Sequence, residues 1–235
     1  MGWISAVERV LEGTPLEPLA RRVYKEVASI GRPRARQSLR YDRQTGEVMA
    51  RVLQPASNCV DVGAHRGSIL EDMLRSAPQG RHFAFEPLPD LAARLTRRFP
   101  GVQVHQVALS DAAGETTFHH VVDYPGYSGF RRLSKIPPNA EVRELRVRTE
   151  RLDDVLPPDL PIGFMKIDVE GAQLQVLRGA ERTIMRWKPV IVLEHGALAQ
   201  QPYGISSDMV WDLLTRLGLR ISCLGDWLKI GRAHV

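Results

Sequence analysis

Val60-Asp61-Val62-Gly63-Ala64-His65-Arg66-Gly67 is an apolar strand that runs into a turn punctuated by two glycines. Just beyond it, Ile69, Leu70, Met73 and Leu74 recur at the spacing of one helical face. Strand, tight turn and helix in that order open a βαβ unit. Gly63 lets the backbone come close to a neighbour or ligand, and Gly67 lets the chain turn into the helix. Asp61 is a carboxylate inside an otherwise apolar strand. A buried carboxylate needs partners, and either the turn's own N–H groups or a ligand ammonium would serve.

Outward from this turn the alternation continues. Strands are predicted at Cys59–Val62, His82–Phe85, Val102–Ala108, Phe164–Ile167, Val190–Leu193 and Leu219–Leu224. Between them, helices are predicted near Ser68–Ser76, Asp90–Phe99, Ala172–Trp187 and Ser207–Leu217. This order predicts an α/β fold with a doubly wound, mainly parallel sheet and right-handed crossovers. Gly114 to Val155 interrupts the pattern with strand-like pieces at Thr116–Val122 and Glu144–Thr149 and a Gly/Pro/Tyr/Ser loop from Asp123 to Asn139. A long excursion here is expected to reach the ligand edge of the sheet.

Residues 3–30 carry apolar residues at helical spacing, Gly31 to Arg43 reads as a basic connector, and Glu47–Leu53 as a short helix. The expected division is a helical extension over 1–55, a Rossmann-like domain over 56–229, and a tail over 230–235. That tail, Ile230-Gly231-Arg232-Ala233-His234-Val235, equals one frame of a common sequencing adapter and is expected to be non-native.

Three acidic residues stand at successive strand ends. Glu86 follows Gly67 by 19 residues, close to the ~20 at which dinucleotide binders place the acid that accepts the ribose hydroxyls. Ser110 and Asp111 close the third strand, where an adenine edge would lie. Together with Asp61 they point to an adenosine-type ligand. Gly63 and Gly67 do not reproduce Gly-x-Gly-x-x-Gly, and the acid in the first strand suits an amino-acid ammonium. Both features favour S-adenosylmethionine over a nicotinamide cofactor.

Phe164-Met165-Lys166-Ile167-Asp168-Val169-Glu170-Gly171-Ala172, with Val176-Leu177-Arg178-Gly179-Ala180 after it, resembles the FkbM family of class I methyltransferases. Asp61-Val62-Gly63-Ala64, Phe85-Glu86-Pro87, Ala108-Leu109-Ser110-Asp111 and Val192-Leu193-Glu194 extend the resemblance across Asn58 to Gly196. It implies a Rossmann-like sheet, S-adenosylmethionine as donor, and a hydroxyl acceptor on a sugar, glycan or natural product. By matched position, Asp61, Gly63, Gly67, Glu86 and Asp111 would bind the cofactor, with Ala64, His65, Pro87, Ser110 and Asp168 beside them. His65-Arg66 departs from the family's usual residues. The antiparallel last strand of the methyltransferase sheet is expected to be missing from this sequence.

For an alcohol acceptor the enzyme must align an oxygen and take its proton. Asp168, Glu170, Glu194 and His195 are the candidates, all at the carboxyl edge. Strand alternation would put Asp168 and Glu170 on one side. His195 has the best unshifted basicity, against which stands a plain turn histidine. A divalent metal on Asp168, Glu194 and His195 is chemically reasonable, but the spacing is no metal signature, and metal-free action is expected. Tyr124, Tyr127, Ser128 and Arg131 would cover the cofactor or grip an acceptor, or else form a mobile surface loop. Of His119 and His120, at most one can face the site.

The net charge is +5, with an early run of arginines. Without a nucleic-acid motif, that run reads as a solvated helix face, and no nucleic-acid partner is expected. Cys59 and Cys223 lie in apolar runs and are expected to be buried free thiols, which fits a reducing, cytoplasmic setting. No transmembrane run or signal peptide is predicted. Two other readings compete: a non-catalytic nucleotide-binding module and a nicotinamide-dependent oxidoreductase.

Overall fold

The computed structural model describes residues 33–230 other than Lys135. The predicted helices over 3–30 lie outside the described residues, as do residues 231–235 of the proposed tail. Contacts divide the chain into units Met1–Val48 and Met49–Val235. No described helix is long and apolar enough to cross a membrane.

The first described element is one helix, α1 (Pro33–Val52), which replaces the predicted connector and short helix. Pro33 occupies its first turn, where a missing N–H costs nothing. Then follow β1 (Asn58–Val62), α2 (Ser68–Ser76), β2 (His82–Phe85), α3 (Pro89–Arg98) and β3 (Val102–His105). The excursion forms β4 (Ala108–Leu109), β5 (Gly114–Val121) and β6 (Val142–Glu150). After it come α4 (Leu152–Val155), β7 (Ile162–Ile167), α5 (Gln173–Arg178), α6 (Glu181–Trp187), β8 (Val190–Leu193), α7 (Ala197–Gln200), α8 (Ser207–Arg216) and α9 (Leu224–Ile230).

The main sheet has the order β3-β2-β1-β7-β8, and every pairing in it is parallel. The chain therefore winds outward from β1 to β3, returns, and winds the other way from β7 to β8. The switch point lies between β1 and β7, and the crevice beyond their carboxyl ends is where such sheets take ligands. Val60, Phe83, Phe85, Met165 and Ile167 are buried between the helical layers, which is why these strands read as continuous apolar runs. The excursion makes its own sheet, β4-β6-β5, with β5 and β6 antiparallel over eight residue pairs.

Four expectations need correction. The third strand splits: Val102–His105 pairs with β2, whereas Ala108–Leu109 leaves to pair with β6. The helix expected over Ala172–Trp187 breaks at Gly179, where a Cβ would stand 2.0 Å from the Ser110 carbonyl oxygen. Leu219–Leu224 is no strand. Gly218 adopts a φ of 76°, and Leu219 N–H donates to Leu214 O at 3.0 Å. The run is used to close α8 in a Schellman-type turn. Cys223 is consequently exposed, while Cys59 is buried as expected, and both are free.

Candidate active site

The site begins with the turn after β1. Gly63 has φ 78°, and a Cβ on it would stand 2.0 Å from the Asp168 carbonyl oxygen. The glycine is thus demanded by the close approach of two strand ends. Gly67, at φ 79°, would place a Cβ 2.4 Å from the Phe99 ring, so it seats α2 against α3. Arg98 fastens the same junction through the Arg66 carbonyl at 3.0 Å and the Glu71 carboxylate.

The turn's N–H groups are largely committed to the protein. Gly63 and Ala64 donate to Phe85 O, and Gly67 donates to Ala64 O. His65 N–H donates to Glu86 Oε2 at 2.8 Å, and Leu88 N–H donates to Glu86 Oε1 at 3.0 Å. Both Glu86 oxygens are therefore fixed, yet each keeps acceptor capacity for a hydroxyl. Burial pushes the Glu86 acid up to about 7, against the pull of those two N–H groups.

Asp61 is 2% exposed, and its Oδ2 meets no hydrogen-bond partner among the described residues. The N–H groups of Gly63, Ala64, His65 and Gly67 are committed to other oxygens and do not answer it. Burial raises this acid to about 7; Lys166 opposes the rise, while Asp168 and Glu86 add to it.

Lys166 has no assigned role in the sequence reading. It is buried on β7 in register with Asp61, and its Nζ lies 3.1 Å from Asp168 Oδ2. The available signal was the one used for Asp61: a charge inside an apolar strand. Its ammonium is held charged, because Asp168 and Asp61 outweigh its burial.

Glu194 follows β8, and its N–H donates to Ile167 O at 2.9 Å, which brings its carboxyl next to that of Asp168. Its acid rises to about 7, first by loss of solvent around the carboxyl and then through Asp168, although the residue as a whole is exposed. Buried Gln173 donates Nε2–H to the Glu194 carbonyl at 2.8 Å and fixes its backbone. Asp61, Glu86, Asp168 and Glu194 are thus gathered around the switch point with Lys166 among them.

Glu170 and His195 stand differently. The strand ends at Ile167, so alternation does not carry to Glu170. That residue takes φ 46° in a turn whose next residue, Gly171, would press a Cβ to 2.2 Å from the Ala199 carbonyl oxygen. The His195 ring is occupied on both sides, Nε2 at 2.8 Å from Ser207 Oγ and Nδ1 at 2.8 Å from Gln200 Nε2. It clips the loop after β8 to the start of α8.

Ser110 and Asp111 join the strand-end acids through no hydrogen bond or ion pair. Ser110 N–H donates to Glu150 O, and Asp111 faces Arg178 at 3.9 Å. The cause is the split third strand, which carries both residues to the α5–α6 junction. Ser128 Oγ accepts the Val121 N–H at 3.0 Å and so staples its own loop. Tyr127 packs beside Val121, Leu133 and Ala199, and Arg131 is exposed. Gly129 approaches the Glu170 carbonyl and the Tyr203 hydroxyl, so the excursion does reach the carboxyl edge. His119 faces Glu144 across the hairpin at 3.9 Å. The described residues contain no His/Cys/Asp/Glu group able to hold a metal ion.

Residues 61–221 match the methyltransferase FkbM domain. The chain is similar to the AMB antimetabolite synthetase AmbE of Pseudomonas aeruginosa, at 30% identity over 77% of this chain and 10% of that protein. It is similar to Methyltransferase 1 of Beauveria bassiana at 32% identity, over 52% of this chain and 57% of that one. It is also similar to the 2-O-methyltransferase NoeI of Sinorhizobium fredii at 27% identity, over 77% and 78%. It therefore spans one tenth and rather over half of the first two. The switch-point carboxylates lie within the matched span, and the chain belongs to the FkbM methyltransferase domain family.

Proposed function

We propose that this chain is an S-adenosylmethionine-dependent O-methyltransferase acting on a hydroxyl of a sugar, glycan or natural-product acceptor. The observation that carries the reading is the orphaned, buried Asp61 Oδ2 beside the pinned Glu86 carboxylate, at the switch point of a chain in this family. These residues fit the cofactor. A buried acceptor without a partner suits an ammonium, and a carboxylate clamped by two backbone N–H groups suits a ribose diol. Gly63, Ala64, His65, Gly67 and Pro87 would frame it. The cofactor supplies a methyl group on a sulfonium, which is already a good leaving group. On this reading Asp168 and Glu194 hold an acceptor hydroxyl and relieve it of its proton. Loss of solvent and the neighbouring Asp168 push the Glu194 acid up to about 7, the range that suits a general base at neutral pH. The 2-O-methyltransferase NoeI among the relatives supports oxygen as the acceptor atom.

Titration calorimetry with S-adenosylmethionine, S-adenosylhomocysteine and NADH tests the reading. Binding of the first two is expected, weakened at least ~10-fold in Glu86→Ala through loss of charge-assisted hydrogen bonds. Tight NADH binding with none of S-adenosylhomocysteine would overturn it in favour of an oxidoreductase.

A further inference from the structure

Lys166 is a lysine inside the central sheet. It is 8% exposed, between Met165 and Ile167, which are fully buried. A buried ammonium is costly, and an apolar side chain of the same length would pack the position at least as well. What the charge meets is therefore the reason to look further. Its Nζ lies 3.1 Å from Asp168 Oδ2, on the strand paired in register with Asp61. Asp168 in turn neighbours Glu194, because Ile167 pairs with Leu193 and the Glu194 N–H donates to Ile167 O at 2.9 Å. Two carboxyls in such contact hold one proton between them. The ammonium is paired with Asp168, so the negative charge rests there and the proton on Glu194. Asp61 on β1, Glu86 after β2 and Glu170 after β7 add negative charge around the trio.

We propose that Lys166 is a positioning residue for the transfer: its ammonium pins Asp168 as the ionised member of the pair and leaves Glu194 as the carboxyl that gives up the shared proton and, once ionised, takes the acceptor's proton. The inference rests on the methyl-transfer reading above. In the step, the acceptor O–H bond breaks and its proton joins a Glu194 carboxylate oxygen. The electron pair left on the acceptor oxygen forms the bond to the methyl carbon, while the carbon–sulfur pair returns to sulfur. Lys166 touches neither reactant. It acts only through the carboxyl pair.

The test uses the full chain with carboxyl-labelled glutamate, the Glu194 resonance being assigned by its loss in Glu194→Gln. In folded Lys166→Met the Glu194 midpoint should rise by at least about one pH unit, and in Lys166→Arg it should return close to wild type. The acid limb of the kcat profile should move equally. Lys166→Met would then lose at least about 5-fold at pH 7 and recover toward pH 9. An unmoved midpoint, or a kcat loss uniform across pH, would overturn the proposal and leave Lys166 a packing residue. Should Lys166→Met not fold, Asp168→Asn decides: removing the neighbouring charge must lower the Glu194 midpoint by at least about one unit, and an unchanged midpoint overturns the proposal. If wild-type protein binds no S-adenosylhomocysteine, the function reading fails by itself, and the carboxyl titration still judges the Lys166 pairing.

Discussion

Two ion pairs of similar length sit in opposite surroundings. Lys166–Asp168 spans 3.1 Å at the edge of the parallel sheet, with side chains 10% and 35% exposed. Arg146–Glu115 spans 3.5 Å on the outer face of the β5–β6 hairpin, with side chains 70% and 61% exposed. The hairpin holds further pairs at Arg143–Glu141 and Arg148–Glu150. Water and salt screen all of them, and such pairs contribute about 0–1 kcal/mol. At the switch point Asp61, Glu86 and Lys166 are shut away from solvent, their charges must be answered by the protein, and the acids of Asp61 and Glu86 rise to about 7. A count of ion pairs would have marked the hairpin. Buried charge without full compensation marks the site.

The strongest way to break the contrast is to move the strand ends apart. Gly63→Ala would put a methyl 2.0 Å from the Asp168 carbonyl oxygen at a φ of 78°. Backbone meets backbone there, so no side chain can yield. Relief requires the β1 turn to leave β7 and Asp168 to leave Lys166. The expected cost is about 3–5 kcal/mol in chemical denaturation, with cofactor binding lost in calorimetry. Gly101→Ala, in open space, is the control and should be near neutral. A Gly63→Ala protein as stable as that control would show that the carboxylate cluster does not depend on the turn.

Much of this contrast was legible in the sequence, and the failures have physical causes. β2 and β8 came out at their predicted limits, because parallel strands covered by helices, β2 fully buried and β8 half-buried, are continuous apolar runs between turn residues. Asp61 and Glu86 were legible because a carboxylate at a strand end is conspicuous. Lys166 carried the same signal but was absorbed into a motif and given no role. Ser110 and Asp111 stay proposed adenine-edge residues, and what their order along the chain left open was their position. Only the departure of Ala108–Leu109 toward β6 shows where they go, and that is a long-range pairing invisible to local pattern. Leu219–Leu224 looked like a strand because helix closure and strand pairing both use apolar residues after a glycine. The double occupation of the His195 ring depends on Gln200 and Ser207, which no spacing rule would have joined to it.

A change of pH should separate the two regions by a smaller amount. Asp61 and Glu86 have folded midpoints above their ordinary values of 3.8 and 4.5. The folded state therefore binds more protons than the unfolded chain between about pH 4 and 7. Through these groups, stability falls as pH climbs across that window and levels off above it. Asp61→Asn removes one of them. Its Tm should decline less between pH 5 and 7, and at neutral pH it should gain about 1–3 kcal/mol, while binding of the cationic cofactor weakens. Thermal scans across pH with parallel calorimetry check both parts. An unchanged slope would mean that Asp61 titrates as an ordinary carboxyl.

The smallest expected effect belongs to Glu115→Ala, and it sharpens the comparison because so little should happen. Glu115 stands directly across from Arg148 and diagonally from Arg146. Removing it leaves two arginines near each other, which in a buried place would be expensive. Here Arg148 keeps Glu150 at 2.5 Å, and both guanidinium groups are open to water. The loss should stay within about 0.5 kcal/mol at physiological salt and shrink further at 1 M, where the screening length falls to ~3 Å. The pH dependence of stability should not change, since the switch-point acids lie in the other sheet. A loss above about 2 kcal/mol, or a shifted Glu194 midpoint, would mean that the hairpin charges are coupled to the site. The excursion would then be part of the electrostatic machinery, and the distinction between screened and buried pairs would no longer locate it.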